Sequence, residues 1–166
     1  MKSSIGKAAF AAVLALGAAG AAGAASAGVT VNYVQSDKFS DLPFSTWDRE
    51  DVLRTLSAHF AKLGKELPAG QELTVDITDI DLAGREYPNR RGGELRVLQG
   101  MADWPRIELN YTLSANGQVI DSGKARLADM SYLQRPVRGF DTDALRYEKR
   151  MLDEWFNKTI LGKKAG

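Results

Sequence analysis

Leu73-Thr74-Val75-Asp76-Ile77-Thr78-Asp79-Ile80-Asp81-Leu82 is the stretch that decides the fold. Leu73, Val75 and Ile77 recur every second residue, so an extended chain turns them to one side and Thr74, Asp76 and Thr78 to the other. This is a strand with one buried and one wet face. Ile80 and Leu82 continue the apolar set one residue out of phase, which requires a register shift near Thr78-Asp79. A β-bulge supplies such a shift by inserting one extra residue, and bulges often re-aim side chains near sites. Ala83-Gly84-Arg85 ends the strand.

Upstream, Val52, Leu53, Leu56, Phe60 and Leu63 are spaced three or four apart and share one helical face. Thr46 or Asp48 is expected to cap this helix, Glu50 and Asp51 suit its positive end, and Gly64 with Pro68-Ala69-Gly70 stops it. Before it, Val29 to Val34 alternates β-branched and aromatic residues with polar ones, a first strand. Ser36 to Ser45, broken by Pro43, links the two as a loop.

Downstream, Glu86 to Glu94, with Pro88, Gly92 and Gly93, reads as an exposed loop. Ile107, Leu109, Tyr111 and Leu113 then alternate with Arg106, Glu108, Asn110 and Thr112 in a third strand. Asn116-Gly117 marks a hairpin turn, because both residues reach positive φ cheaply. A fourth strand follows from Val119 to Leu127, its register left open by Gly123. Ser131 to Phe140 is a loop with Pro136 and Gly139. Asp141 or Thr142 caps a second helix whose buried stripe is Leu145, Leu152, Trp155, Phe156 and Ile160, ending at Leu161-Gly162. The order β-α-β-β-β-α predicts an α+β two-layer sandwich: a four-stranded mixed sheet with both helices on one face, in a single domain over 28–162. Residues 163–166, with Lys163 and Lys164, are expected to be a disordered tail.

The first 27 residues read as a secretory signal peptide: Lys2 and Lys7, an apolar run from Ala8 to Ala22, and Ala25-Ser26-Ala27 before the cut. The run is Ala-rich and broken by Gly17, Gly20 and Gly23, too weakly apolar for a membrane anchor, so no stable insertion is expected after cleavage behind Ala27. With no cysteine, lipidation and thiol chemistry are excluded. Removing 27 of 166 residues leaves 139, enough to bury a core without disulfides. The segment takes two of 22 Lys and Arg and none of 21 acids, leaving 20 against 21 and a formal charge of −1. Basic residues are interleaved with acids along both helices, unlike the basic stripe of a nucleic-acid binder, so no nucleic-acid partner is expected.

Asp76, Asp79 and Asp81 are oxygen donors of the kind calcium takes, but they lack the glycine turn and distal Glu of a calcium loop, and no metal is expected. His59, the single histidine, lies at the edge of the first helix's apolar stripe. Ser45, Ser57, Ser122 and Ser131 are available hydroxyls but none sits in a G-x-S-x-G elbow, so His59 reads as a packing residue with one hydrogen bond. The many carboxylates do not by themselves define an acid–base pair for glycoside hydrolysis. Arg90-Arg91-Gly92-Gly93 lacks the Lys-Ser/Thr of a phosphate loop. Glu148 falls on the second helix's apolar stripe, where an unpaired charge costs several kcal/mol, so Arg85, Arg106 or Arg146 is expected to approach it. Trp104-Pro105-Arg106 and Trp155 suit either a ligand wall or core filling. The candidate polar site is therefore Asp79, Asp81, Arg85, Arg106 and Glu148, with no cofactor and no catalytic assignment.

Thr78-Asp79-Ile80-Asp81-Leu82-Ala83-Gly84-Arg85, Pro105-Arg106-Ile107, Leu127-Ala128-Asp129 with Tyr132-Leu133, and Leu145-Arg146-Tyr147-Glu148-Lys149 with Trp155-Phe156 together resemble a family of secreted proteobacterial proteins known as a domain of unknown function. The likeness spans nearly all of the chain after residue 27. It implies an exported or periplasmic protein of a Gram-negative bacterium and carries no activity or catalytic residue. The leading expectation is a non-catalytic periplasmic module that binds a protein or small-molecule partner, or assists an envelope process, through the wet sheet face and the Glu86 to Glu94 loop. Two alternatives stand beside it: a hydrolase using Asp79, Asp81 or Glu148, which needs converging carboxylates in a concave pocket, and assembly through an exposed sheet edge.

Overall fold

A computed structural model describes residues 28–89, 94–135 and 142–163. Residues 1–27, on which the signal-peptide reading falls, Arg90 to Gly93, Pro136 to Asp141 and the last three residues lie outside the described residues. The main sheet holds β1 (Gly28–Tyr33), β2 (Gln71–Asp81), β5 (Arg106–Ala115) and β6 (Gln118–Ala128) in the order β1-β2-β5-β6. β1 runs parallel to β2 and the other pairs are antiparallel, so the sheet is mixed. Between β1 and β2 the chain makes a short 3-10 turn, Ser36–Lys38, and then α1 (Thr46–Gly64). α2 (Arg146–Trp155) closes the fold and widens into a π-helical turn at Phe156–Ile160. The class is α+β.

β2 contains the expected register shift. Ile77 pairs with Leu109 and Asp79 with Glu108, which leaves Thr78 as the extra residue. The shift lets Ile77 and Ile80 both be fully buried, though an unbroken pleat would send them to opposite faces. At the β5–β6 turn Asn116 and Gly117 take φ 52° and 79°, the geometry that matches the strands' twist. Tyr111 pairs with Gly123, and a Cβ there would stand 3.1 Å from the Tyr111 ring, so the ring lies over the bare glycine and fixes β6. Ile120 is the unmatched residue of a second bulge, between the Leu113–Asp121 and Ser114–Val119 pairs.

Both helices pack into one core with the sheet. Leu56, Phe60 and Leu63 of α1 meet Leu152 and Trp155 of α2 over Leu73, Val75, Ile77, Ile107 and Leu109. Trp155 meets Phe60 and Tyr111 edge-on, with ring centroids 6.5 and 5.7 Å apart. Gly64 allows α1 to close on β1, since a Cβ there would lie 2.7 Å from Val29 Cγ2. No helix of the described residues is long and apolar enough to cross a membrane.

Three local expectations are corrected. Ser45, not Thr46 or Asp48, caps α1: its hydroxyl accepts from the Asp48 N–H at 3.4 Å. α2 begins at Arg146, several residues after Thr142, because Asp143 captures the Leu145 N–H at 2.9 Å and sets the entry turn. The expected Glu86 to Glu94 loop is instead a second, two-stranded sheet of β3 (Arg85–Pro88) and β4 (Glu94–Val97), with Glu86 paired to Arg96 and Tyr87 to Leu95. Of the expected tail only Lys163 is described, its ammonium 3.1 Å from the Glu66 carboxylate.

Candidate functional site

The chain turns out of β2 through Leu82-Ala83-Gly84, and this corner gathers most of the buried polar groups. Gly84 has φ +84°, its N–H donates to the Asp103 carbonyl at 2.9 Å, and a Cβ would stand 2.6 Å from the Val97 carbonyl oxygen. Only glycine fits both demands. The Ala83 N–H donates to Glu148 Oε1 at 2.8 Å, anchoring the first turn of α2 on the corner. Arg96, projecting from β4, donates from Nη1 to Asp41 at 2.8 Å and to the Ala83 and Gly84 carbonyls at 3.4 and 3.5 Å, and from Nη2 to Glu86 at 3.1 Å. Burial alone would ease the proton off this guanidinium, but Asp41 and Glu86 outweigh burial and hold Arg96 above its ordinary value.

Glu148 is 1 % exposed. Its Oε2 has no hydrogen-bond partner among the described residues. Burial pushes its carboxyl above the usual range, against the lowering effects of the Ala83 and its own backbone N–H and of Arg96 and Arg146. The expected close partner was an arginine. The nearest bond comes instead from a backbone N–H, because Arg85 and Arg106 are taken by Asp81, and Arg146 reaches Tyr147 Oη at 3.1 Å and the Asp143 carbonyl at 3.1 Å.

The other candidate residues divide into two groups. Asp81, Arg85 and Arg106 come together: Arg106 donates Nε (2.9 Å) and Nη2 to one Asp81 oxygen, and Arg85 stands 3.9 Å from the other. Arg106 also lies over the Trp104 ring, 5.6 Å from its centroid. Asp79 is turned away by the bulge and accepts from the Ser40 N–H and hydroxyl, both at 2.7 Å. Three carboxylates thus have three separate sets of partners. Asp76 accepts from Asn32 across the sheet at 2.7 Å, and His59 makes one 2.7 Å bond to Asp153 between the helices. Among the described residues no group of three or more His, Asp or Glu is placed to hold a metal ion.

Several residues of the corner were not singled out by sequence. Asp103, buried, accepts from the Gln99 N–H at 2.6 Å, from the Met101 N–H at 3.1 Å and from the Tyr132 hydroxyl. Burial opposes its charge, yet these donors prevail and hold its carboxyl below the usual range. Tyr132 is pushed up to about 12 by burial and then by Asp103, against a Gly100 N–H that favours the phenolate. Asp129 accepts from the Ser131 N–H at 3.1 Å and from Arg150 at 2.8 Å, and Arg150 also donates to the Tyr132 carbonyl at 2.9 Å. Tyr132 and Tyr147 meet edge-on at 4.8 Å beside Ala83, with Leu98 and Trp104 packed against them. For Asp129 and Tyr132 the signal was their place in the quoted motifs; Arg96 and Asp103 carried no local signal, since their partners are set by the β3–β4 hairpin and the turn after it.

The quoted motifs, far apart along the chain, therefore converge. Ala83 bonds Glu148, the Asp129 N–H donates to the Pro105 carbonyl at 3.3 Å, and Tyr147 packs on Tyr132. Chemically the cluster is a clamp: most of its donors and acceptors satisfy one another, and Glu148 Oε2 and Arg150 Nε, which make no hydrogen bond among the described residues, are out of solvent's reach. A search of curated proteins finds no match. A family model described as a protein of unknown function (DUF3016) matches residues 27–158, and the chain belongs to that family.

Proposed function

We propose that this chain is exported to the periplasm of a Gram-negative bacterium, loses residues 1–27, and works there as a non-catalytic binding or envelope-accessory module. One observation carries the non-catalytic reading: Asp79, Asp81 and Glu148 are each engaged by a different internal group, Ser40, Arg106 and the Ala83 N–H, so no two are left to act as acid and base on a substrate. The export reading rests on the signal-like segment and gains support from the family match, which begins at residue 27, so a cut behind Ala27 leaves all but the first matched residue. Two surfaces suit a partner. The wet sheet face presents in-register rows, Thr30–Thr74–Thr112–Ser122 and Asn32–Asp76–Asn110–Lys124, and the hairpin pairs exposed Tyr87 with exposed Leu95. Tyrosine is enriched at protein interfaces and among their anchors.

Intact and native mass spectrometry of protein purified from the periplasmic fraction tests this. The expected mass begins at Gly28, with a retained partner that Tyr87→Ala with Leu95→Ala weakens. Full-length protein confined to the cytoplasm would overturn the export reading. Hydrolysis of model glycan, ester or peptide substrates that disappears in Asp81→Asn would overturn the non-catalytic one.

A further inference from the structure

α2 is anchored at its first turn by a carboxyl in a setting ill suited to charge. Glu148 is 1 % exposed, receives one neighbouring N–H from the corner, and leaves its second oxygen unpartnered among the described residues. An ionised carboxylate so placed has lost its hydration with little in return, whereas a protonated one still accepts the Ala83 N–H through its carbonyl oxygen. The cations around it make their hydrogen bonds elsewhere. Arg96 of β4 is held by Asp41 of the segment before α1 and by Glu86 of β3. Arg146 on α2 itself is turned to Tyr147 and Asp143. Beyond the Tyr132–Tyr147 pair, Asp103 is bound to Tyr132, and Asp129 to Arg150. Among the described residues none of these cations hydrogen-bonds or ion-pairs with the carboxylate; Arg96 and Arg146 favour its charge only from a distance, and burial outweighs them.

We propose that Glu148 is a proton-controlled latch, in which the protonated carboxyl holds the first turn of α2 on the Ala83–Gly84 corner and loss of the proton loosens it. Hydration of the ionised side chain is regained only when this turn lifts, and lifting uncovers the Tyr132–Tyr147 face against Ala83. The rest of α2, seated through Leu152, Trp155 and Phe156 in the main core, stays in place. The device is closed in acid and loosened in alkali. Glu148→Gln keeps the acceptor for the Ala83 N–H and cannot ionise, so it is the permanently closed form.

Amide hydrogen exchange at Ala83 and through Tyr147 to Leu152, compared at equal pH in the whole mature protein and its Glu148→Gln variant, reads the latch, because the intrinsic pH dependence of exchange cancels. Protection in the parent is expected to fall relative to the variant as pH rises, by up to about tenfold per pH unit while the docked carboxyl keeps its proton. A ratio that stays flat from acid to alkali overturns the proposal. Should the variant not fold, the carbon-13 shift of the Glu148 carboxyl in the parent decides: a midpoint in the ordinary glutamate range overturns the latch, and one well above it supports the latch.

Discussion

Gly84 shows how much a single backbone position constrains here. A side chain at φ +84° is strained by about 1–3 kcal/mol, and this one would also drive into the Val97 carbonyl 2.6 Å away, across the seam where β3 meets β4. Gly84→Ala is therefore expected to cost at least about 2 kcal/mol and to lower the melting midpoint by several degrees, followed by circular dichroism. A melting curve superimposable on the parent's would mean that the corner relaxes without loss. Sequence located Gly84 as a strand end and Glu148 as an acid on an apolar stripe. The identity of Glu148's partner was not legible, since a backbone N–H sixty-five residues away has no side-chain signature and three arginines carry the charge a carboxylate calls for.

Elements held by apolar periodicity were legible and those held by charge were not. β2 with its bulge, the Asn116-Gly117 turn and the stripe of α1 follow from spacing alone. β3 and β4 are four residues each and are joined by a Glu86–Arg96 pair, so no hydrophobic alternation announces them. β6 raises the question of assembly. It is an eleven-residue strand at the sheet's edge, yet it carries an acid beside the core, Asp121, bound by the Tyr111 hydroxyl at 3.2 Å, a bulge at Ile120, and Lys124 and Arg126 on the wet face. These are the devices by which edges resist pairing with another chain. Replacing two of them together, Asp121→Val with Lys124→Val, is expected to produce concentration-dependent oligomers by light scattering after size exclusion. If the double variant elutes and scatters as the parent does, β6 is not guarded by these side chains.

Across the whole molecule, buried and half-buried acids set opposing slopes of stability against pH. Asp103 and Asp143 have folded values below the ordinary 3.8: for Asp103, burial is overcome by N–H donors and Tyr132, and for Asp143 by Lys149, the Leu145 N–H and His59. Their contribution is present above the unfolded value and is lost as pH falls through the folded one. Glu148 works the other way. Its folded value lies above the ordinary 4.5 because burial dominates, so stability is full below 4.5 and is lost as pH rises through the raised value. Tyr33, Tyr111 and Tyr132, all raised by burial, add a further decline only beyond pH 10. On these groups the urea midpoint should rise to a maximum in mild acid, between the two aspartates' range and that of Glu148, and then descend toward neutrality. Asp103→Asn should make the rising limb shallower, with Asp143 still contributing, and leave the descent, and Glu148→Gln should remove the descent and leave the rise, because each variant deletes one titration. Parallel profiles for the parent and the Gln variant from pH 4 to 9 would show that Glu148 is ionised in the folded chain, and would require a counter-charge that the arrangement of Arg96 and Arg146 does not supply.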